Sequence, residues 1–136
     1  MASVRVLLAD DHVRLLADLR TRLSKLFEII GAVENGKQAV DAALLLSPDI
    51  LVLDISMPVM NGFEAATLLR DLKCKTKIII LTTYEDDEYI DAAFSVGARA
   101  YVTKRHLVTD LVTAIREVVH GHTFVSPSLG RESLGR

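Results

Sequence analysis

Asp10-Asp11, Asp54, Thr82-Thr83 and Lys104 each close a short apolar run or follow one within two residues. Three carboxylates, hydroxyls and an amine placed this way form a set suited to chemistry on an oxyanion. Carboxylates brought within about 5 Å of each other repel by roughly 3 kcal/mol per pair at an effective dielectric near 20. Either one of them stays protonated or a cation sits among them. An all-oxygen set with room for water suits Mg2+, which joins carboxylates to phosphate, and the cation is the expectation adopted here. A carboxylate beside Mg2+, faced by Lys and Thr, supplies the nucleophile, the charge neutralisation and the donors that phosphoryl transfer needs. Singly, each residue has a plainer role: a turn or cap for Asp10-Asp11, a strand end for Thr82, a solvated charge for Lys104. Their recurrence in order, at the ends of successive runs, favours one shared site.

Such a site needs elements that bring run ends together. Aliphatic runs at residues 4–9, 28–33, 50–54, 78–82 and 100–102 have strand length, and the central ones are apolar throughout, as in strands buried on both faces. Between them lie segments of helical period. Leu16, Leu19, Leu23 and Leu26 recur on one stripe, as do Phe63, Ala66, Leu69 and Leu72, and later Leu111, Ile115 and Val118. Asn35-Gly36 predicts a cap for a helix over 37–46 that Ser47-Pro48 ends, and Asp86 and Asp87 suit a helix N-terminus. The last helix is expected to run to about His120 and stop at Gly121; Leu107 and Val108 leave its start uncapped. Five strands alternating with five helices predict an α/β fold, a doubly wound parallel sheet covered on both faces. Ligands of such sheets bind beyond the carboxyl ends of the strands, where these polar residues fall.

The chain has 136 residues, half of them hydrophobic, with a net charge of −2. That length suits one domain, and the balance excludes a disordered chain or a general basic field for nucleic acid or anionic lipid. The single Cys74 excludes an internal disulfide and a multi-thiolate zinc site. No apolar run approaches the roughly 18 to 20 residues of a membrane span, so the expectation is a cytoplasmic protein with no membrane partner. Residues 1–121 read as the domain, and 122–136 as a linker or tail.

The stretches Leu8-Ala9-Asp10-Asp11-His12, Leu51-Val52-Leu53-Asp54-Ile55-Ser56-Met57-Pro58, Asn61-Gly62, Leu81-Thr82-Thr83-Tyr84 and Gly97-Ala98-Arg99-Ala100-Tyr101-Val102-Thr103-Lys104 give a more specific indication. In this order the chain resembles the receiver domain of bacterial two-component response regulators, a flavodoxin-like fold. That resemblance implies a five-stranded sheet of order 2-1-3-4-5. It further implies that Asp54 accepts a phosphoryl group from a sensor histidine kinase. Mg2+, with Mn2+ as a substitute, would be held by Asp11, Asp54 and the main-chain carbonyl of Ser56, with Asp10 acting through water. Lys104 and Thr82 would hold the phosphoryl oxygens, and Thr82 and Tyr101 would form the switch, Tyr101 turning from outward to inward. Ser56 and Tyr84 would tune the lifetime of the phosphorylated form. His12, Thr83-Tyr84-Glu85-Asp86-Asp87-Glu88-Tyr89 and Gly121-His122-Thr123-Phe124-Val125-Ser126-Pro127 resemble the NarL/FixJ subfamily. Its members continue into a LuxR-type helix-turn-helix domain; that implies transcriptional output, DNA contact only through a domain missing from this chain, and a homodimer on phosphorylation. Arg105, Ala100 and Leu107 depart from the pattern, without removing a site residue.

Two rivals use the same architecture. A phosphatase with an aspartyl nucleophile would want a second Asp two residues after the first, where this chain has Ser56. A flavin module would want a Ser/Thr/Gly-rich phosphate loop after the first strand, where this chain has two acids. His12, His106, His120 and His122 lack ligand spacing and read as surface or cap residues, and Cys74 as an incidental thiol.

Overall fold

The computed structural model describes residues 3–130. Strands β1 (Arg5–Ala9), β2 (Glu28–Val33), β3 (Ile50–Leu53), β4 (Lys77–Thr82) and β5 (Ala100–Thr103) alternate with helices α1 (Val13–Leu23), α2 (Gly36–Leu46), α3 (Gly62–Asp71), α4 (Asp87–Ser95) and α5 (Leu107–Val119). All strand pairs are parallel, in the order β2-β1-β3-β4-β5, so the expected doubly wound, flavodoxin-like sheet is present. A sixth strand, β6 (Phe124–Val125), pairs in parallel with β5. It lies in the segment expected to be tail; two residues are too few to show a strand period. Residues 131–136 of that expected tail lie outside the described residues.

Alternate side chains of the strands feed two cores. Leu7, Leu51, Leu53, Ile78, Ile80 and Tyr101 meet α2, α3 and α4 on one face, whereas Val6, Leu8, Val52, Ile79, Leu81 and Val102 meet α1 and α5 on the other. Leu16, Leu19 and Leu23 of α1 are buried as their spacing predicts, and so are Leu111, Ile115 and Val118 of α5. Leu26 and Leu72 are half exposed, against expectation. Each lies past the end of its helix, where the chain has left the helical track and the stripe no longer points at the sheet.

Local chemistry sets the helix starts on the site side of the sheet. His12 Nδ1 accepts from the Leu15 N–H and caps α1, Asn35 accepts from the Gln38 N–H and caps α2, and Asn61 and Glu64 form a reciprocal capping box at α3. Helix α5 has no side-chain cap at His106 and is entered through a 3-10 turn, Lys104–His106. The start that the sequence leaves uncapped is thus the one structure reaches by a tighter turn.

Candidate functional site

Asp10 and Asp54 extend β1 and β3 by one residue each. The Asp10 N–H donates to Val33 O and the Asp54 N–H to Ala9 O, both at 3.0 Å, so the sheet's own ladder places the two carboxylates side by side. Both are buried: Asp10 is 1% and Asp54 5% exposed. Between them enters the ammonium of Lys104, 2.7 Å from Asp10 Oδ2 and 3.6 Å from Asp54 Oδ2. The His12 N–H donates to Asp10 Oδ1 at 2.9 Å and the Ile55 N–H to Asp54 Oδ1 at 2.8 Å. Asp11 is exposed, yet one carboxylate oxygen from each of Asp10, Asp11 and Asp54 lies within 4.8 Å of the others.

This arrangement is costly for negative charge. Burial, then the charge of Asp10, pushes the Asp54 carboxyl up to about 6; Lys104 and the Ile55 N–H pull it down, and Asp11 raises it again. Asp10 and Asp54 share the Lys104 ammonium, with the Asp11 carboxylate beside them, and Asp10 Oδ2 makes no hydrogen bond beyond its close approach to that ammonium. An all-oxygen set of three carboxylates within 4.8 Å of one another, open to solvent at Asp11 and only partly offset by the Lys104 ammonium, fits a small hard divalent cation such as Mg2+.

The loop after β3 is pinned tightly. A Cβ on Gly62 would sit 2.1 Å from the Asp54 carbonyl oxygen, and one on Gly36 would sit 2.0 Å from that of Met60, so only glycine permits these two approaches. The Gly62 N–H donates to Ile55 O and the Gly36 N–H to Met60 O, which ties the loop to both of its neighbouring helices. Val59 in this loop is exposed and has a φ of 70°, a strained value for a β-branched residue.

Thr82, at the end of β4, is buried, and its Oγ1 accepts from the Tyr84 N–H at 3.2 Å, leaving its own proton to donate. Ser56 Oγ and Tyr84 Oη are 2.9 Å apart and bridge the loops after β3 and β4 at the rim of the site. The Tyr84 ring stacks on Tyr89 of α4 at 4.5 Å, and Tyr89 faces Phe63 of α3 at 6.3 Å. A cleft of about 600 Å3 opens between this stack and the acids, lined by Asp11, Ser56, Met57, Pro58, Asn61 and Tyr84 among others. A groove of about 680 Å3 lies at the opposite end of the sheet, beside Asp49, Cys74 and Lys77, away from every site residue named above.

Tyr101 is fully buried and donates its hydroxyl proton to Tyr84 O at 2.8 Å. It therefore already sits inward, where the expectation placed it outward before switching; the carbonyl of Tyr84 and the apolar face of β5 hold it there. Burial first, then the charges of Asp86, Tyr89 and Glu85, push its phenol above the usual tyrosine range. The structure adds a cluster that the sequence reading did not assemble. Glu85 accepts from Arg105 at 3.0 Å and from the Thr103 hydroxyl at 3.3 Å, joining the loop before α4 to the turn after Lys104. Arg105 stood out only as a departure from a family pattern. His12 proves to be a helix cap as expected, and Ser56 offers a hydroxyl where a hydrolase would need an acid.

The acids, the lysine and the threonine lie together at the carboxyl edge of a 2-1-3-4-5 parallel sheet. A family model described as the response regulator receiver domain matches residues 6–116. The chain belongs to this family. It is 38% identical over 128 residues to the transcriptional regulatory protein YvfU of Bacillus subtilis, covering 93% of this chain and 64% of that protein. It is 35% identical over 128 residues to the transcriptional regulatory protein DesR of the same organism, covering 93% of this chain and 63% of the relative. Among solved structures, a LuxR-family two-component response regulator from Aurantimonas superposes with a TM-score of 0.89 at 27% identity, covering 95% of this chain and 94% of that one. This receiver domain thus spans less than two thirds of the length of these two relatives. Receiver domains are signalling modules, and the acidic pocket is where they bind Mg2+. Among the described residues no helix is long and apolar enough to cross a membrane.

Proposed function

We propose that this receiver domain is a phosphorylation-controlled switch whose acceptor is Asp54. The observation that carries the reading is the Lys104 ammonium lodged between Asp10 and Asp54, with the Asp11 carboxylate beside them. In phosphoryl transfer from a sensor histidine kinase, an Asp54 oxygen attacks phosphorus, the P–N bond of phosphohistidine breaks, and the released imidazole nitrogen takes up a proton. Oδ1 is held by the Ile55 N–H, so Oδ2 is the oxygen presented as nucleophile. Mg2+, or Mn2+ in its place, would supply charge neutralisation for the phosphoryl oxygens when bound. Asp11, Asp54 and the Ser56 carbonyl would hold the metal, whereas Asp10, already engaged by Lys104 and the His12 N–H, would act through water.

Once the acyl phosphate forms, Lys104 pairs with one phosphoryl oxygen and Thr82 donates its free hydroxyl proton to another. Thr82 drawn towards the phosphoryl group deepens the population with Tyr101 inward, the arrangement that the Tyr84 carbonyl already favours. Ser56 and Tyr84, bridged across the rim, set how readily water reaches the phosphoryl group. The absence of an acid at Ser56 suits a persistent phosphoaspartate rather than turnover. The output is transcriptional control in the cytoplasm, with DNA contacted by a further domain and with a homodimer forming on phosphorylation; the names of YvfU and DesR, both transcriptional regulatory proteins, support the transcriptional part.

Intact-mass spectrometry tests the reading. With a small acyl phosphate and Mg2+ the chain should gain the mass of one phosphoryl group, and Asp54→Asn should not. An unchanged mass in folded wild-type protein would contradict it.

A further inference from the structure

The segment after α5 has no part in the reading above, yet its contacts lead directly to the site. We propose that Ser126 is a positioning residue for Lys104, so that phosphoryl binding at Asp54 and docking of residues 123–129 against β5 reinforce one another. The inference rests on the role given above to Asp54 and Lys104. Ser126 has no exposed surface. Its Oγ accepts from the Thr103 N–H at 2.9 Å, and its own N–H donates to Tyr101 O at 2.9 Å. One residue thus clamps β5 on both sides of Val102, between the inward tyrosine and the residue that precedes Lys104.

Two observations make this clamp more than a cover for a sheet edge. First, Thr103 is gripped from two sides: Glu85 takes its hydroxyl and the Arg105 side chain, and Ser126 takes its backbone N–H, whereas His106 gives α5 no side-chain cap and the Thr103 hydroxyl accepts from the Arg105 N–H at a long 3.4 Å. The backbone entering Lys104 is therefore fixed through Thr103, and on its N–H the partner is Ser126. Second, the contact cannot be broken cheaply from either partner. If Ser126 leaves, the buried Thr103 N–H loses its acceptor, and a buried unpaired donor is costly. Beyond Ser126, the Leu129 N–H donates to Ser126 O and the Leu129 side chain packs on the core that contains Tyr101, so the chain leaving the domain is carried by the same clamp. Coupling between two binding events is reciprocal. A phosphoryl group that fixes Lys104 steadies Thr103 and holds Ser126, and loss of the Ser126 hydroxyl must weaken phosphoryl binding by the same factor.

The test uses the full chain, with beryllofluoride and Mg2+ as the phosphoryl mimic and Mg2+ alone as control. Amide exchange across 123–129 should slow by about fivefold on adding beryllofluoride and not on adding Mg2+, and Ser126→Ala should lose about fivefold in beryllofluoride affinity while Mg2+ affinity stays within about twofold. A merely structural serine would lower the melting temperature of the variant and leave the beryllofluoride affinity of its folded form unchanged, which would overturn the inference. Unchanged exchange in wild-type protein with beryllofluoride bound would overturn it as well, and that arm decides alone if Ser126→Ala does not fold. Wild-type chain that binds no beryllofluoride would instead overturn the phosphoacceptor reading, and this inference with it.

Discussion

The two ends of the sheet meet charge in opposite ways. At the amino end, cations find carbonyls: Lys77 Nζ donates to Val118 O at the close of α5, Arg70 to Ser95 O at the close of α4, and Arg5 to Ser47 O just past α2. Each places positive charge at the negative end of a helix, and each stabilises the fold modestly. At the carboxyl end, two buried carboxylates share the Lys104 ammonium with a third carboxylate nearby, and burial, then the charge of Asp10, pushes Asp54 up to about 6. One end is arranged for stability; the other gives up stability to hold charge ready for a ligand.

Removing the ammonium between the buried acids should have the largest effect. Lys104→Met leaves Asp10 and Asp54 buried without a counter-charge and should lower metal-free stability by about 3 kcal/mol in urea unfolding, and the phosphoryl gain from an acyl phosphate should become much slower. A loss no greater than that of an exposed lysine would mean the carboxyl end is not under charge stress.

Asp54→Asn should act in the opposite direction. The folded-state carboxyl titrates near 6, against an ordinary 3.8, so between those values the folded protein holds more protons than the unfolded chain. Stability therefore falls as pH rises through that window, and the full penalty of about 3 kcal/mol stands above pH 6. The variant should match wild type below about pH 4 and be more stable by about 2 to 3 kcal/mol at pH 8 without metal. A stability difference independent of pH would refute the charge account.

The strained loop sharpens the comparison at smaller scale. Val59→Gly removes the strain of a positive φ at an exposed position, and should raise stability by about 1 kcal/mol with no change in phosphorylation rate. Smallest of all, Lys77→Met at the amino end should cost about 0.5 to 1 kcal/mol, and phosphorylation should again be unaffected.

The cheap end and the costly end were not equally legible. Asp10, Asp11, Asp54, Thr82 and Lys104 could be placed because strand ends follow from apolar runs, and a parallel sheet gathers those ends on one edge. The caps at His12 and Asn35 are local, so their side chains and spacing announce them; the Asn61–Glu64 capping box is as local, but only the structure shows it. What escaped was non-local or brief. Glu85 and Arg105 meet across two loops that carry no period. Strand β6 is two residues long, and its anchor Ser126 looks like any turn serine. Leu26 and Leu72 continue a stripe on paper, but the helices end before them. The inward Tyr101 depends on a carbonyl contact that no residue pattern encodes.

Thermal unfolding at pH 8 against increasing Mg2+ tests most directly whether a divalent cation relieves the crowded end. Wild-type protein should gain stability logarithmically with metal once its dissociation constant is exceeded, and Asp11→Asn should gain far less. A melting temperature indifferent to millimolar Mg2+, in protein that unfolds reversibly, would contradict the account.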